Sequence, residues 1–440
     1  MKMLKVVLPI CLIFFLCIGW ISTITGAIKT MSTYNACVKE AEESVKNGLY
    51  EQGIEFYKDA LNVKNSKTVY KKIKETYDAL YKEEHVPAVR NDYINDMATA
   101  ATAFPKHEEF WVAQIKLYQD AKNYSKAYQT SKKALNHGAS GKELDKLHKE
   151  LKYMTKVDYK LYSDFATALN EYITVFDGNR WRVLDESGEK HSGEYNLIGL
   201  INDDGKGLYI NDIDTRILDK KEVTRARFNL KVEKAGYYNE ELDLVPVMID
   251  GKWKYINSDG KAMNGEFDVA GSFFTDKAVA KLGETWFLLD AKGNKKELTG
   301  FEDIKLDLYG SYIQDGIILA KQNGKYHIYD TEFKQVGKFS ADDIDIRIKD
   351  NPIAFKSGEK WGYVNSEGKV VIEPQYAYAK SFSNGYAAVG NKECSWGFIT
   401  KDNELVIDYE YRDAYYFNSK KICMVSTTEN TVQIMSFMFE

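Results

Sequence analysis

Cysteine and proline are both scarce in this chain of 440 residues, at 5 and 6. Cys11 and Cys17 lie inside an apolar run at the amino end, and Cys37, Cys394 and Cys423 show no C-x-x-C spacing. A disulfide framework and a cysteine metal set are therefore excluded. The six histidines are scattered at 85, 107, 137, 148, 191 and 327 without an H-x-x-x-H spacing, which excludes a zinc set of the common kind. No G-x-S-x-G elbow, phosphate loop or G-x-G-x-x-G occurs. Catalytic, metal and cofactor residues are accordingly expected to be none, and the chain is expected not to be an enzyme.

Single-sign charge is missing as well. The 60 basic and 65 acidic residues leave a net charge of −5 with no basic stripe, which argues against nucleic acid as a partner. The acidic stretches "NSDG" (257–260) and "DDIDIRIKDN" (342–351) lack the D-x-[DN]-x-[DN]-G pattern of a calcium loop and read as hairpin turns.

What is present is length, tyrosine and repetition. A chain this long exceeds one ordinary core, so two or three folding units are expected. The 31 tyrosines suit strands and wet interfaces. Between Lys5 and Lys29 no residue is charged. As a helix, Val6 to Ile28 would span roughly 34 Å, enough to cross a hydrocarbon core. Residues 1–30 thus read as a signal anchor, a single-pass transmembrane helix that leaves Lys2 and Lys5 inside and the bulk of the chain extracytoplasmic. Cleavage near Thr25-Gly26-Ala27 is the competing reading.

From 32 to 140 the apolar spacing is helical. "NGLYEQGIEFYKDAL" (47–61) and "AKNYSKAYQTSKKAL" (121–135) align, with Tyr50 on Tyr124, Gly53 on Ala127, Tyr57 on Ser131 and Ala60 on Ala134. Small residues at fixed spacing mark helix pairs meant to approach closely. The pattern resembles the tetratricopeptide repeat, with Trp111 and Tyr118 at that family's first-helix aromatic positions and a degenerate middle unit near 68–106. The resemblance implies a solenoid whose concave groove holds a peptide or extended segment. Residues 141–172 read as a capping or connecting helix.

Beyond 172 the spacing alternates, and one phrase recurs about every 35 residues. It opens at Trp181, Trp253, Trp286, Trp361 and Trp396, with weaker copies at Tyr326 and Thr215. About 14 or 15 residues later an aromatic begins a second half. Each copy carries a turn of the Asn-Ser-Asp-Gly kind, whose glycine supplies positive φ. Trp361-Gly362 and Trp396-Gly397 match the dipeptide that names the bacterial WG repeat family, which residues 173–440 resemble as a divergent array. One hairpin cannot cover its own apolar face, so neighbours must stack, with the tryptophans as wedges between them. Seven registers suit a seven-bladed β-propeller, and an open β superhelix fits the same pattern; "TVQIMSFMFE" near Val432 offers a strand to close a ring. Cys394 and Cys423 fall in neighbouring copies, as a pair or as separate thiols.

The expected whole is a multidomain α + β protein: a membrane-anchored scaffold that binds an unidentified protein or peptide through both repeat types. The alternative is a module, or a wall-associated enzyme of unfamiliar type, that binds cell-wall polymer through its aromatics.

Overall fold

A computed structural model describes residues 29–439, apart from 167–171, 186–187, 202–205, 212–214, 219–223, 229 and 350–351. The described chain forms two compact units that divide at Lys152 and Tyr153, one helical and one built of strands.

Seven helices make up the first unit among the described residues: α1 (29–46), α2 (Tyr50–Val63), α3 (Lys67–Glu83), α4 (Pro87–Ala103), α5 (Glu108–Asp120), α6 (Tyr124–Asn136) and α7 (Lys142–Lys152). Three to five residues join each of α2 to α7 to the next, and local chemistry sets the ends. Ser66 caps α3 by accepting from the amide of Val69 at 3.4 Å, Pro87 opens α4, and Asn123 caps α6 through the amide of Lys126. Each helix buries a stripe at three- and four-residue spacing, as α3 does with Val69, Ile73, Thr76, Tyr77 and Leu80.

Three expectations need correction here. The membrane-crossing helix falls on residues outside those described. Among the described residues no helix is long and apolar enough to cross a membrane, and α1 carries Lys29, Lys39, Glu40, Glu42, Glu43 and Lys46. The single-pass, extracytoplasmic assignment is withdrawn on that finding. The helix expected over 141–172 ends at Lys152, because "TKV" at Thr155–Val157 and "DFA" at Asp164–Ala166 are strands. The β unit, expected as seven blades or an open superhelix, has eight sheets among the described residues and closes on itself.

The sheets follow chain order: sheet 1 (164–184), sheet 2 (197–228), sheet 3 (234–256), sheet 4 (269–297), sheet 5 (303–329), sheet 6 (343–376), sheet 7 (378–411) and sheet 8 (413–437). Among the described residues all strand pairs are antiparallel, and eight apolar clusters each join two consecutive sheets. The cluster of Tyr162, Ile173, Val175 and Leu184 with Ile422, Met424, Val432 and Ile434 joins the first sheet to the last. That contact makes a ring and rules out an open superhelix. The outer strand of sheet 8 comes from Thr155–Val157, which pairs antiparallel with Gln433–Phe437 in the register Thr155 to Phe437 and Val157 to Met435. The stretch near Val432, read as a partial register that could close a ring, is the third strand of this eighth sheet; what escaped the sequence reading is the outer strand, supplied from before the first repeat.

Each recurring phrase forms the third strand of a sheet, and in four copies the aromatic 14 or 15 residues on is its partner in the fourth position. Trp181 and Tyr195 exchange backbone hydrogen bonds at 2.8 and 2.9 Å, as Trp253 and Phe267 do at 2.9 Å. Trp361 faces Tyr376, and Trp396 faces Tyr411. Trp286 is enclosed, at 2% exposure, whereas Trp181, Trp253, Trp361 and Trp396 are half-buried at cluster margins. Tyr326 is buried. The wedge in several sheets is the residue two positions on, Tyr255, Tyr363 or Phe398.

The glycine after tryptophan has its own cause. Trp361 faces Tyr376 and Val364 faces Val370, so the fourth strand carries extra residues across that interval and bulges against the third. A Cβ on Gly362 would lie 2.6 Å from the carbonyl oxygen of Ile372, and one on Gly397 2.5 Å from that of Ile407. Where Lys254 or His327 stands instead, the fourth position keeps only isolated bridges, whereas behind Phe287 and Arg216 a fourth strand still pairs.

The loops between first and second strands are tightly tied, and Asp307 organises one of them. Its Oδ1 accepts from the amides of Tyr309 at 2.9 Å and Ser311 at 2.8 Å. Burial pushes this carboxyl up to about 6, against the pull of its backbone donors. Between its ordinary value and about 6 the folded chain holds more protons than the unfolded chain, so this group costs stability as pH rises through that window, and the cost is complete above it.

Three outcomes are expected. Gly362→Ala and Gly397→Ala each lower unfolding free energy by about 1–3 kcal/mol, read as a shift of the urea midpoint, because backbone must move to admit the methyl group. Trp286→Ala costs about 3–5 kcal/mol and Trp253→Ala about half of that, in keeping with their burial. Asp307→Asn, which keeps the Oδ1 acceptor, stabilises the chain by about 2 kcal/mol at pH 7.5, with the gain vanishing toward pH 4 in parallel melts.

Candidate functional site

A cleft of about 490 Å³ opens in the helical unit, walled by α3, α4 and α5. Its α3 wall presents Lys74, Asp78, Tyr81 and Lys82, of which Lys74, Asp78 and Tyr81 recur at three- and four-residue spacing and so share one face, and His85 joins them from just beyond the end of the helix. The α5 wall presents Val112, Ala113, Lys116, Leu117 and Asp120 by the same rule, with Val112, Ala113 and Leu117 as an apolar floor.

Both carboxylates in the cleft are held from several sides. Asp78 accepts from the hydroxyl of Tyr93 at 2.6 Å and from Nζ of Lys74 at 2.7 Å. Asp120 accepts from the hydroxyl of Tyr81, lies 3.1 Å from Nε2 of His85 and 3.6 Å from Arg90. The Tyr81 hydrogen bond, ahead of the opposing effect of burial, holds the Asp120 carboxyl below the usual range. Burial and then Asp78 raise the Tyr93 phenol, which stays a donor at any physiological pH. Tyr81 stacks on His85 at 4.3 Å, and Tyr93 stacks on Tyr77 at 4.8 Å. Aromatic walls are thereby fixed before any ligand arrives. Lys116 pairs with Glu143 at 2.8 Å, and Lys82 makes no ion pair or hydrogen bond among the described residues. The unspent charge in the cleft is positive.

The residues singled out from sequence build the stack and do not line this cleft. Tyr57, Ala60, Ala127, Ala134 and Trp111 are buried between helices, and Trp111 donates Nε1 to the carbonyl of Pro105 at 2.8 Å. A Cβ on Gly53 would meet Cγ2 of Val45 at 2.5 Å, which accounts for a small residue there. Tyr50 reaches Glu83 from α2, and Tyr118 and Tyr124 are half-buried. The spacing of Lys74, Asp78 and Tyr81, with His85 just past the helix end, was the missed signal: an aromatic and charged stripe on α3 flanking its core stripe.

In the ring, Trp181, Trp253, Trp286, Trp361 and Trp396 belong to five separate clusters, so they form no common groove. Gly362 and Gly397 are structural, as above. Cys394 is exposed and Cys423 is buried, both as free thiols. Among the described residues no group of three or more His, Cys, Asp or Glu is placed to hold a metal ion.

No curated protein matches the chain. Several solved structures are similar to part of this chain. BamB from Moraxella catarrhalis has 11% identity over 65% of this chain and 99% of its own, with a TM-score of 0.46. The WD40 β-propeller domain of Doa1 has 13% identity over 64% and 95%, with a TM-score of 0.34. Hsv2 of Kluyveromyces lactis has 9% identity over 62% and 88%, with a TM-score of 0.32. The family model of the WG containing repeat matches residues 361–392 and 396–427. Each match starts at a third strand and ends after the second strand of the next sheet, so the chain carries WG repeats that straddle sheets 6, 7 and 8.

Proposed function

We propose that this chain is a non-enzymatic scaffold for protein–protein interaction, whose helical unit grips an extended peptide segment and whose WG-bearing ring offers a second docking surface. The observation that carries the reading is the cleft between α3 and α5. It combines an apolar floor, two aromatic walls locked by Asp78 and Asp120, and lysines at the rim. Such a surface suits backbone and side chains of an extended segment with acidic character better than a compact metabolite. The buried small residues Gly53, Ala60, Ala127 and Ala134 support reading the helices as tetratricopeptide-like, with α1, α3 and α5 as first helices of successive pairs. A sugar-binding role through the tryptophans has weaker support, since those side chains are spread over five clusters and one is enclosed.

The test is a random peptide library displayed on phage and panned against the full chain. Peptides are expected to enrich, and their affinity is expected to fall about tenfold in Tyr81→Ala and further in Lys82→Glu with Lys116→Glu, without change in melting temperature. Enriched peptides that bind these variants as tightly as the parent would place the groove elsewhere, and a library that yields none would end the proposal.

A further inference from the structure

Three consecutive sheets each send one aromatic ring from the loop between their first and second strands to a common place. Tyr237 of sheet 3 stacks on Phe274 of sheet 4 with centroids 4.4 Å apart and planes 27° apart. Tyr309 of sheet 5 stands across both at 6.4 Å, its plane 83° from Tyr237 and 67° from Phe274. The neighbouring Phe273 fills the core, whereas Phe274 remains 40% exposed. The ring does not need Phe274 for packing, and an outward aromatic cluster of this kind marks a contact surface.

The platform is rigid. The amide of Tyr237 donates to Oγ of Ser272 at 3.0 Å, the amide of Ser272 donates to the carbonyl of Gly310 at 2.7 Å, and Nδ2 of Asn239 donates to the carbonyl of Phe273 at 3.0 Å. A Cβ on Gly271 would sit 2.9 Å from the oxygen of Gly310, so the loops touch backbone to backbone. The aromatic rings are thus held in place at no ordering cost to a ligand.

Charge selects the partner. The three loops, 236–244, 271–277 and 305–317, hold six carboxylates (Glu240, Glu241, Asp243, Asp276, Asp307 and Asp315) against two lysines, Lys277 and Lys305. Glu240 pairs with Lys206, Asp315 with Arg347 at 2.7 Å, and Lys305 with Asp343 at 3.2 Å. Glu241 and Asp276, each within a few residues of the platform, have no ion pair among the described residues. We propose that the face formed by Tyr237, Phe274 and Tyr309 docks an arginine-bearing segment of a partner protein, its guanidinium lying flat on the exposed ring and its charge answered by Glu241 and Asp276. This surface belongs to the ring alone and does not depend on the helical cleft.

A fluorescein-labelled peptide of alternating Arg and Gly, titrated with the full chain and followed by anisotropy, tests it. Saturable binding is expected, several-fold weaker for the Lys-Gly peptide because ammonium does not stack, and absent for Glu-Gly. Phe274→Ala is expected to lose about tenfold in affinity with an unchanged melting temperature, and Glu241→Gln with Asp276→Asn to flatten the salt dependence. Tyr81→Ala, in the cleft, should leave binding intact, so failure here and failure of the peptide cleft are read separately. Equal binding of the Arg-Gly peptide to Phe274→Ala, equal binding of Glu-Gly, or no saturable binding to the parent chain would overturn the proposal. So would a parent chain that dimerises and a Phe274→Ala variant that does not, since the occupant would then be a second copy.

Discussion

The β unit depends on one short pairing, that of Thr155–Val157 with Gln433–Phe437. Seven sheets could stack in a row from local hairpins alone, but a row would leave an apolar face bare at each end. Closure turns those two faces on each other, and Ile173, Val175 and Leu184 of the first sheet meet Ile422, Met424 and Ile434 of the last. Among the described residues, eight clusters then serve eight sheets. The closing strand is itself small, yet Asp158 and Tyr162 extend it by donating their amides to Ile434 and Val432 at 2.8 and 2.9 Å. Non-local pairing of this sort costs loop-closure entropy early and yields its contacts late.

The stagger between repeat and sheet distributes that closure around the ring. A WG repeat supplies the outer half of one sheet and the inner half of the next, so no sheet is the product of a single copy. Unfolding one copy opens two sheets and exposes the clusters on either side, which favours all-or-none behaviour over the nearest-neighbour fraying of an open solenoid. Gly362 and Gly397 act within this plan by letting the fourth strand bulge inward, and sheets 6 and 7 are the ones whose fourth strands run seven residues, Val370–Tyr376 and Leu405–Tyr411. The most regular copies in sequence are the best-paired in space.

Much of this is legible in the sequence. Period-two alternation located the third strands, including the tryptophan-free copy at Thr215, and the interval from tryptophan to the next aromatic is the separation of two facing positions across a hairpin. What escaped did so for physical reasons. The closing strand is three residues long and follows a strongly helical pattern, so its strand character exists only through its partner. The enclosure of Trp286 beside the half-burial of Trp253 depends on how neighbouring sheets pack, which the shared sequence pattern does not encode. In the helical unit, small residues at fixed spacing mark where helices touch and are silent about the flanking face. Lys74, Asp78, Tyr81 and His85 look like an ordinary solvated stripe until Tyr93 and Asp120 arrive from other helices to complete it.

The same pairings would set the selectivity of the proposed groove. A carboxylate left open in a cleft would attract any cation, and a bare phenol would bond to any acceptor. Here Tyr81 and Tyr93 spend their protons on Asp120 and Asp78, and Lys74, His85 and Arg90 crowd the same carboxylates. Internal pairing removes nonspecific polar affinity and leaves ring faces, an apolar floor and the rim lysines as what a ligand can use. Because those rings are fixed by charge-assisted hydrogen bonds, a displacement of either aspartate would change the shape of the wall before it changed the charge of the cleft. If the cleft holds a peptide as proposed, recognition there would be a matter of shape first, with charge acting at the rim.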